Sequence, residues 1–167
     1  DAADVTINSN TYSTFIDDSS GRTWLDLDNF WGDTDTPTSV LADLSGSGYH
    51  LATSSELVGL GTSIGNVAGG AAWTSMATIV GGNYIGNAQD GADRELIWGI
   101  YDDENAGDFG WAFQFSFTSG SFSFSQNQVG SSQTLVSANT YNRDMGAWVV
   151  SDGITVHNVS EPSSLVL

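Results

Sequence analysis

The stretch 110-GWAFQFSFT-118 alternates without a break. Trp111, Phe113, Phe115 and Phe117 fall on one side of a period-two repeat, and Ala112, Gln114 and Ser116 on the other. A helix cannot place residues i, i+2, i+4 and i+6 on one face, so this segment has to be a strand. Ser119-Gly120-Ser121 reads as a turn, and Phe122-Ser123-Phe124-Ser125 resumes the alternation. The two runs predict a hairpin whose register is held by cross-strand aromatic pairs. An aromatic row of this kind serves a core more often than a sugar-stacking platform.

Short strands also open the chain. Asp4-Val5-Thr6-Ile7 and Tyr12-Ser13-Thr14-Phe15-Ile16 alternate with period two, the cluster Asp17-Asp18-Ser19-Ser20-Gly21 turns, and Thr23-Trp24-Leu25 resumes. The first forty residues therefore predict a β-meander. Thr36-Pro37 then gives an N-cap followed by proline at the first helical position, with Val40, Leu41 and Leu44 as the apolar face and Gly46 and Gly48 as the stop. A second helix starts at the capping box Thr53-Ser54-Ser55-Glu56 and carries Leu57, Leu60 and Ile64 at i, i+3, i+7. From Ala71 onward no helix is predicted. Ala77-Thr78-Ile79-Val80, Leu96-Ile97-Trp98-Gly99-Ile100-Tyr101 and Ala147-Trp148-Val149-Val150 read as strands, and the polar run 126–142 as a long surface loop suited to function. The expected class is α+β and β-rich: two short helices after an N-terminal meander, then antiparallel strands and long loops. A length of 167 residues fits one domain, 1–156, with 157–167 as a tail.

Composition narrows the function. Twenty carboxylates face three cations, Arg22, Arg94 and Arg143, with no lysine, for a formal charge of −17. Such a field repels nucleic acid and anionic membranes and opposes any phosphate-binding role. It attracts hard cations, Ca²⁺ above all, and it serves solubility equally well. With no cysteine, disulfides, thiolate catalysis and zinc–thiolate sites are all removed. No run approaches the roughly 18 apolar residues of a membrane span. The chain opens on Asp1 rather than Met, which fits a mature exported protein whose signal peptide has been removed.

Two acidic loops are the candidate Ca²⁺ sites. One holds Asp26, Asp28, Asn29, Asp33 and Asp35; the other holds Asp102, Asp103, Glu104, Asn105 and Asp108, between two strands that would supply carbonyl oxygens. Neither fits EF-hand spacing, and a solvated acidic turn accounts for either loop as well. His50 and His157 are far apart, with no acid or hydroxyl at a recognisable spacing, so no catalytic residues are expected. Asn158-Val159-Ser160 satisfies the N-x-S sequon.

Several blocks carry a family resemblance. The segments 21-GRTWLDL-27, 40-VLADL-44 and 48-GYHLATSSEL-57 resemble an exported bacterial family that reads "GLTWLD", a short helix, then "GWRLATxAEL"; 146-GAWVVSDG-153 resembles its closing strand. The resemblance implies a variant of the C-type-lectin-like fold, related to the C-terminal domain of bacterial collagen-like adhesins and to formylglycine-generating enzyme. It imports no catalysis, since the copper-dependent members of the wider fold rely on cysteines. His50 stands where the family has Arg, which implies a structural role. The tail, Val159-Ser160-Glu161-Pro162-Ser163-Ser164-Leu165, resembles the PEP-CTERM sorting signal read by an exosortase, with Ser160 in place of the first proline and without the apolar span and basic end. That resemblance implies export and association with exopolysaccharide and biofilm matrix.

The expected function is a non-enzymatic surface or extracellular-matrix protein that associates with copies of itself. The apolar tail, with Glu161, Pro162, Leu165, Val166 and Leu167, would add to a neighbour's sheet edge and build a fibre. The alternative expectation is a calcium-dependent carbohydrate-binding module, with Trp31 and Trp111 as the sugar-contacting aromatics.

Overall fold

In the computed structural model, residues 2–30, 36–64, 70–81, 85–86, 94–102, 104, 110–118, 121–126 and 146–154 are described. The opening segment is made of antiparallel strands as expected, but the run read as one strand over Tyr12–Ile16 is two: β1 (Val5–Ile7) and β2 (Asn10–Tyr12) form a hairpin of their own, and after Ser13 β3 (Thr14–Asp17) pairs with β4 (Arg22–Leu25) in another sheet. Asn8 and Ser9 join β1 to β2 with φ of 48° and 74°. That is the left-handed pair a two-residue hairpin loop demands. The Asn8 amide donates to the carbonyls of Asp43 and Ser45 at 2.8 and 3.2 Å, which fastens the hairpin tip to the end of the first helix.

That helix, α1, spans Pro37–Leu44, and the Thr36 side chain caps it reciprocally with Ser39. β5 (Tyr49–Leu51) follows, a strand the sequence reading did not single out. The second predicted helix is α2 (Ser54–Ile64). Its capping box closes as read: the Thr53 N–H donates to Glu56 Oε2 at 2.8 Å, and the Glu56 N–H to Thr53 Oγ1 at 3.4 Å. Leu57 and Leu60 are buried, and Ile64 packs against the same cluster.

The expectation that no helix follows Ala71 is overturned. A third helix, α3, runs Gly70–Ile79 and includes most of the segment read as a strand at 77–80. Met76 and Ala77 of the helix and Val80 just after it are buried, at i, i+1 and i+4. The β-branched run Thr78-Ile79-Val80 imitated a strand, but its apolar positions follow the helical period. Gly81, at φ +93°, ends the helix where a Cβ would come within 2.6 Å of the Leu27 nitrogen.

The remaining strands are β6 (Ile85–Gly86), β7 (Arg94–Tyr101), β8 (Gly110–Thr118), β9 (Ser121–Gln126), β10 (Gly146–Ala147) and β11 (Val149–Ile154). The aromatic hairpin is there: β8 pairs β9 antiparallel, with Phe115 opposite Phe124 and Phe117 opposite Phe122. Besides the two-stranded β1-β2 sheet, the strands form two larger sheets of order β3-β4-β11-β5 and β10-β7-β8-β9, with β6 also on β7. One pair departs from the all-antiparallel expectation, because β10 runs parallel to β7. Gln126, expected to open the long loop at 126–142, is the last residue of β9, and 127–142 lie outside the described residues. Helices and antiparallel sheets together make the fold α+β.

The four-stranded sheet is covered on both faces. Phe15, Trp24 and Val150 point toward α2, α3 and Ile97 of β7, while Leu25, Leu51 and Val149 point toward α1, Phe30 and the β1–β2 hairpin. The two sheets meet at Trp148, which is fully buried. Its N–H donates to the Ile100 carbonyl at 2.9 Å, and its carbonyl accepts from Ala52 at 2.8 Å. Gly146 lets β10 press against the 3₁₀ turn Leu27–Phe30: a Cβ there would stand 2.6 Å from the Leu27 carbonyl oxygen.

Candidate functional site

The β3–β4 turn, β5, α2 and β11 bring their polar side chains to one region. Strand register explains how. Asp17 pairs with Arg22 across the turn, Ile154 pairs with Arg22 on the other side, and Val150 pairs with His50. The capping box puts Glu56 on the first turn of α2, directed back at β5. A row of alternating charge results. His50 Nδ1 lies 2.5 Å from Asp152 Oδ1, and His50 Nε2 lies 3.1 Å from Glu56 Oε2. Arg22 Nη1 pairs with Glu56 Oε1. Glu56 thus accepts from a backbone N–H, a guanidinium and a histidine at once. Burial pushes its carboxyl upward, but the Thr53 N–H, Arg22 and His50 outweigh it and hold the group below its ordinary range.

Beside this row sits a buried carboxylate. Asp17 is 6% exposed. Its Oδ1 accepts from the Ser19 N–H and hydroxyl at 3.1 and 2.8 Å and from the Ser63 hydroxyl, and Oδ2 accepts from Ser20 at 2.6 Å. Burial opposes ionisation there too, and the hydroxyls of Ser20, Ser63 and Ser19 overcome it. Between the two clusters lies a cleft of about 250 Å³ lined by Asp17, Arg22, Trp24, Glu56, Gly59 and Leu60, among others.

The residues singled out from the sequence lie elsewhere. Asp26 lines a different cavity, of about 550 Å³, with Asp4, Ser13, Phe15, Asp18 and Ile79 among its walls. Its Oδ1 is buried and meets no hydrogen-bond partner. Burial raises its carboxyl to about 6, against a hydrogen bond from Ser13 and with help from the charges of Asp28 and Asp4. Asp28 belongs to the 3₁₀ turn and is raised by burial as well. Asp102 half-emerges at the end of β7 and accepts from the Glu104 N–H at 2.8 Å. The second acidic loop is bracketed by paired strands as anticipated, with Tyr101 opposite Gly110. Among the described residues no three acidic or histidine side chains gather closely enough to hold a metal ion. Trp31, Asp33, Asp35, Asp103, Asn105, Asp108, His157, Glu161, Pro162, Leu165, Val166 and Leu167 lie outside the described residues, and Trp111 is described through its strand backbone alone.

Sequence reasoning placed Glu56 in its capping box and gave His50 a structural role. It missed Arg22, Asp17 and Asp152 as their partners, because no local spacing links residues that meet only through sheet pairing. Set against protein-family models, curated proteins and solved structures, the chain matches none. Among the described residues no helix is long and apolar enough to cross a membrane.

Proposed function

We propose that this chain is an exported, non-enzymatic structural protein of a bacterial surface or extracellular matrix, and that it associates with copies of itself through the apolar segment at 163–167. One observation carries the structural role: the polar side chains of the candidate site bond to one another. Asp152, His50, Glu56 and Arg22 join β11, β5, α2 and β4 in a single row. Hydrolysis by paired carboxyls needs one group poised to give a proton and another left open to attack. Glu56 and Asp17 are both held ionised and are both occupied by protein donors. Asp26 holds its proton more tightly, but its Oδ1 is buried and meets no hydrogen-bond partner.

The address rests on the resemblance of Val159-Ser160-Glu161-Pro162-Ser163-Ser164-Leu165 to an exosortase sorting signal. Self-association rests on chemistry. Ser163-Ser164-Leu165-Val166-Leu167 carries no charged side chain in a chain of charge −17, so it is a segment a like-charged neighbour can accept. Removing residues 159–167 tests the reading. Light scattering and electron micrographs of the intact chain should show assemblies, and the shortened chain should be monomeric. Equal assembly in both would refute it.

A further inference from the structure

A sheet edge left unpaired invites another strand, and proteins guard their edges with short strands, charged side chains, proline or bulges. Among the described residues most edges are guarded. β1, β2 and β5 are three residues long and β6 and β10 two, and β3, four residues long, ends on Asp17. β9 is the exception. It runs six residues, Ser121–Gln126, and pairs with β8 in unbroken register. Among the described residues it has a strand on one side only. It holds no proline and no charge, and no charged side chain occurs anywhere from Phe109 to Asn142, in a chain of charge −17.

Register shows what this edge offers. Ile97, Phe115 and Phe124 stand in one cross-strand row, and Glu95, Phe117 and Phe122 in the next. Residues opposite one another share a face, so both rows lie on the face where Ile97 is buried in the core. Ser121, Ser123 and Ser125 fall on the other face. Phe122 and Phe124 thus carry the core face out to the last strand, with no charge at its margin.

We propose that β9 of one copy is the edge that receives residues 163–167 of the next, which add to the sheet as a strand beyond β9. The inference rests on the self-association proposed above and names its receiving surface. Main-chain N–H and C=O groups along β9 supply the pairing. Leu165 and Leu167, two positions apart, fall on one face of the added strand and continue the rows of Phe122 and Phe124, while Ser164 and Val166 fall on the serine face. Charge selects the edge as well. No charged side chain follows Glu161, so an uncharged segment meets an uncharged strand, and two copies of charge −17 touch where neither carries charge. The next-longest edge, β3, would set the segment beside Asp17.

The chain has no cysteine, so introduced thiols report without background. In the full chain, Ser164→Cys is combined with Ser121→Cys, Ser123→Cys or Ser125→Cys, and the assembled protein is mildly oxidised and run on a denaturing gel without reductant. At least one pair should give a ladder of linked multimers. Thr6→Cys with Ser164→Cys places the thiol on exposed β1 instead and should give dimers at most. Ser123→Lys puts a charge on the edge and should raise the concentration needed for assembly at least about tenfold, although it lessens the repulsion between copies. The cysteine pairs carry the test if the lysine variant does not fold. Three results overturn this edge and leave the self-association reading standing, provided assembly still needs residues 159–167: no ladder from any β9 position, chains linked only to themselves, or undiminished assembly of a folded Ser123→Lys chain. Failure of the reading itself looks different. The intact chain then does not assemble, or assembles equally without residues 159–167, and the inference falls with it.

Discussion

His50 Nδ1 and Asp152 Oδ1 stand 2.5 Å apart although 102 positions separate the two residues in the chain. Through Glu56 the same imidazole reaches α2 and Arg22, so one short row of side chains ties the last described strand to the start of a helix and to β4.

Glu56 is the hub of that row. Glu56→Ala removes the capping box and leaves Arg22 and the Thr53 N–H without their acceptor. A loss of about 2–3 kcal/mol is expected, from a cap of about 1 kcal/mol and a charge-assisted bond of about 1.5–3 kcal/mol that overlap. Glu56→Gln keeps a cap acceptor and should lose about half as much. Urea denaturation followed by Trp fluorescence measures both.

The pH profile should rise and then fall on acidification. Asp26 titrates near 6 in the folded chain against 3.8 ordinarily, so the folded state binds more protons between those values. Stability therefore grows as pH drops from 7 toward about 5. Glu56 and Asp17 are shifted the other way, below 4.5 and 3.8. Their contribution is present above those values and disappears as acid protonates them. Relief of the overall negative charge favours the acidic side as well, so Asp26→Asn isolates the first effect: its profile should be flatter between pH 7 and 5. A variant with an unchanged slope there would rule out Asp26 as the source.

Gly146→Ala should be among the most damaging single-methyl changes. Its Cβ would come within 2.6 Å of the Leu27 carbonyl oxygen and 2.9 Å of the Leu27 Cβ, with β7 closing the opposite side. Overpacking of this kind costs about 1–3 kcal/mol, read as a lower urea midpoint with an unchanged slope. Gly153→Ala meets nothing within 4 Å and serves as the silent control.

Thr36→Ala deletes the N-cap of α1, whose side chain accepts from the Ser39 N–H at 3.2 Å. About 1 kcal/mol should be lost. Amide exchange should quicken in α1 and in the β1–β2 hairpin that Asn8 fastens to it, and stay unchanged in α2.

Local signals in the sequence carried much of this fold. Thr36, Pro37 and the Thr53–Glu56 box marked two helix starts because caps are written within four residues. The alternation at 110–118 marked β8 for the same reason. What failed was what local chemistry leaves ambiguous. Thr78, Ile79 and Val80 have strand-like side chains, and what decides for a helix is the burial of Met76, Ala77 and Val80 in one core with Leu57 and Ile97, while Thr78 and Ile79 face outward. The site was less legible still. Acid-rich runs drew attention to Asp26 and Asp102, whereas the bonded row is assembled from single residues of four elements. In a chain with twenty carboxylates, nothing short of the strand register says which of them meet.

The order of strands sets the order of events during synthesis. β11 lies between β4 and β5, and β10 completes the side of β7, so both sheets take a strand from residues 146–154. Neither is complete until residues 146–154 have been made, and Val149 of β11 pairs with Leu25 of β4 across 124 positions, while Gly146 of β10 pairs with Gly99 of β7 across 47. Sheets completed by such distant pairings form late and slowly. The four-stranded sheet therefore stays open at β4 and β5 until β11 has been made, and locks only then.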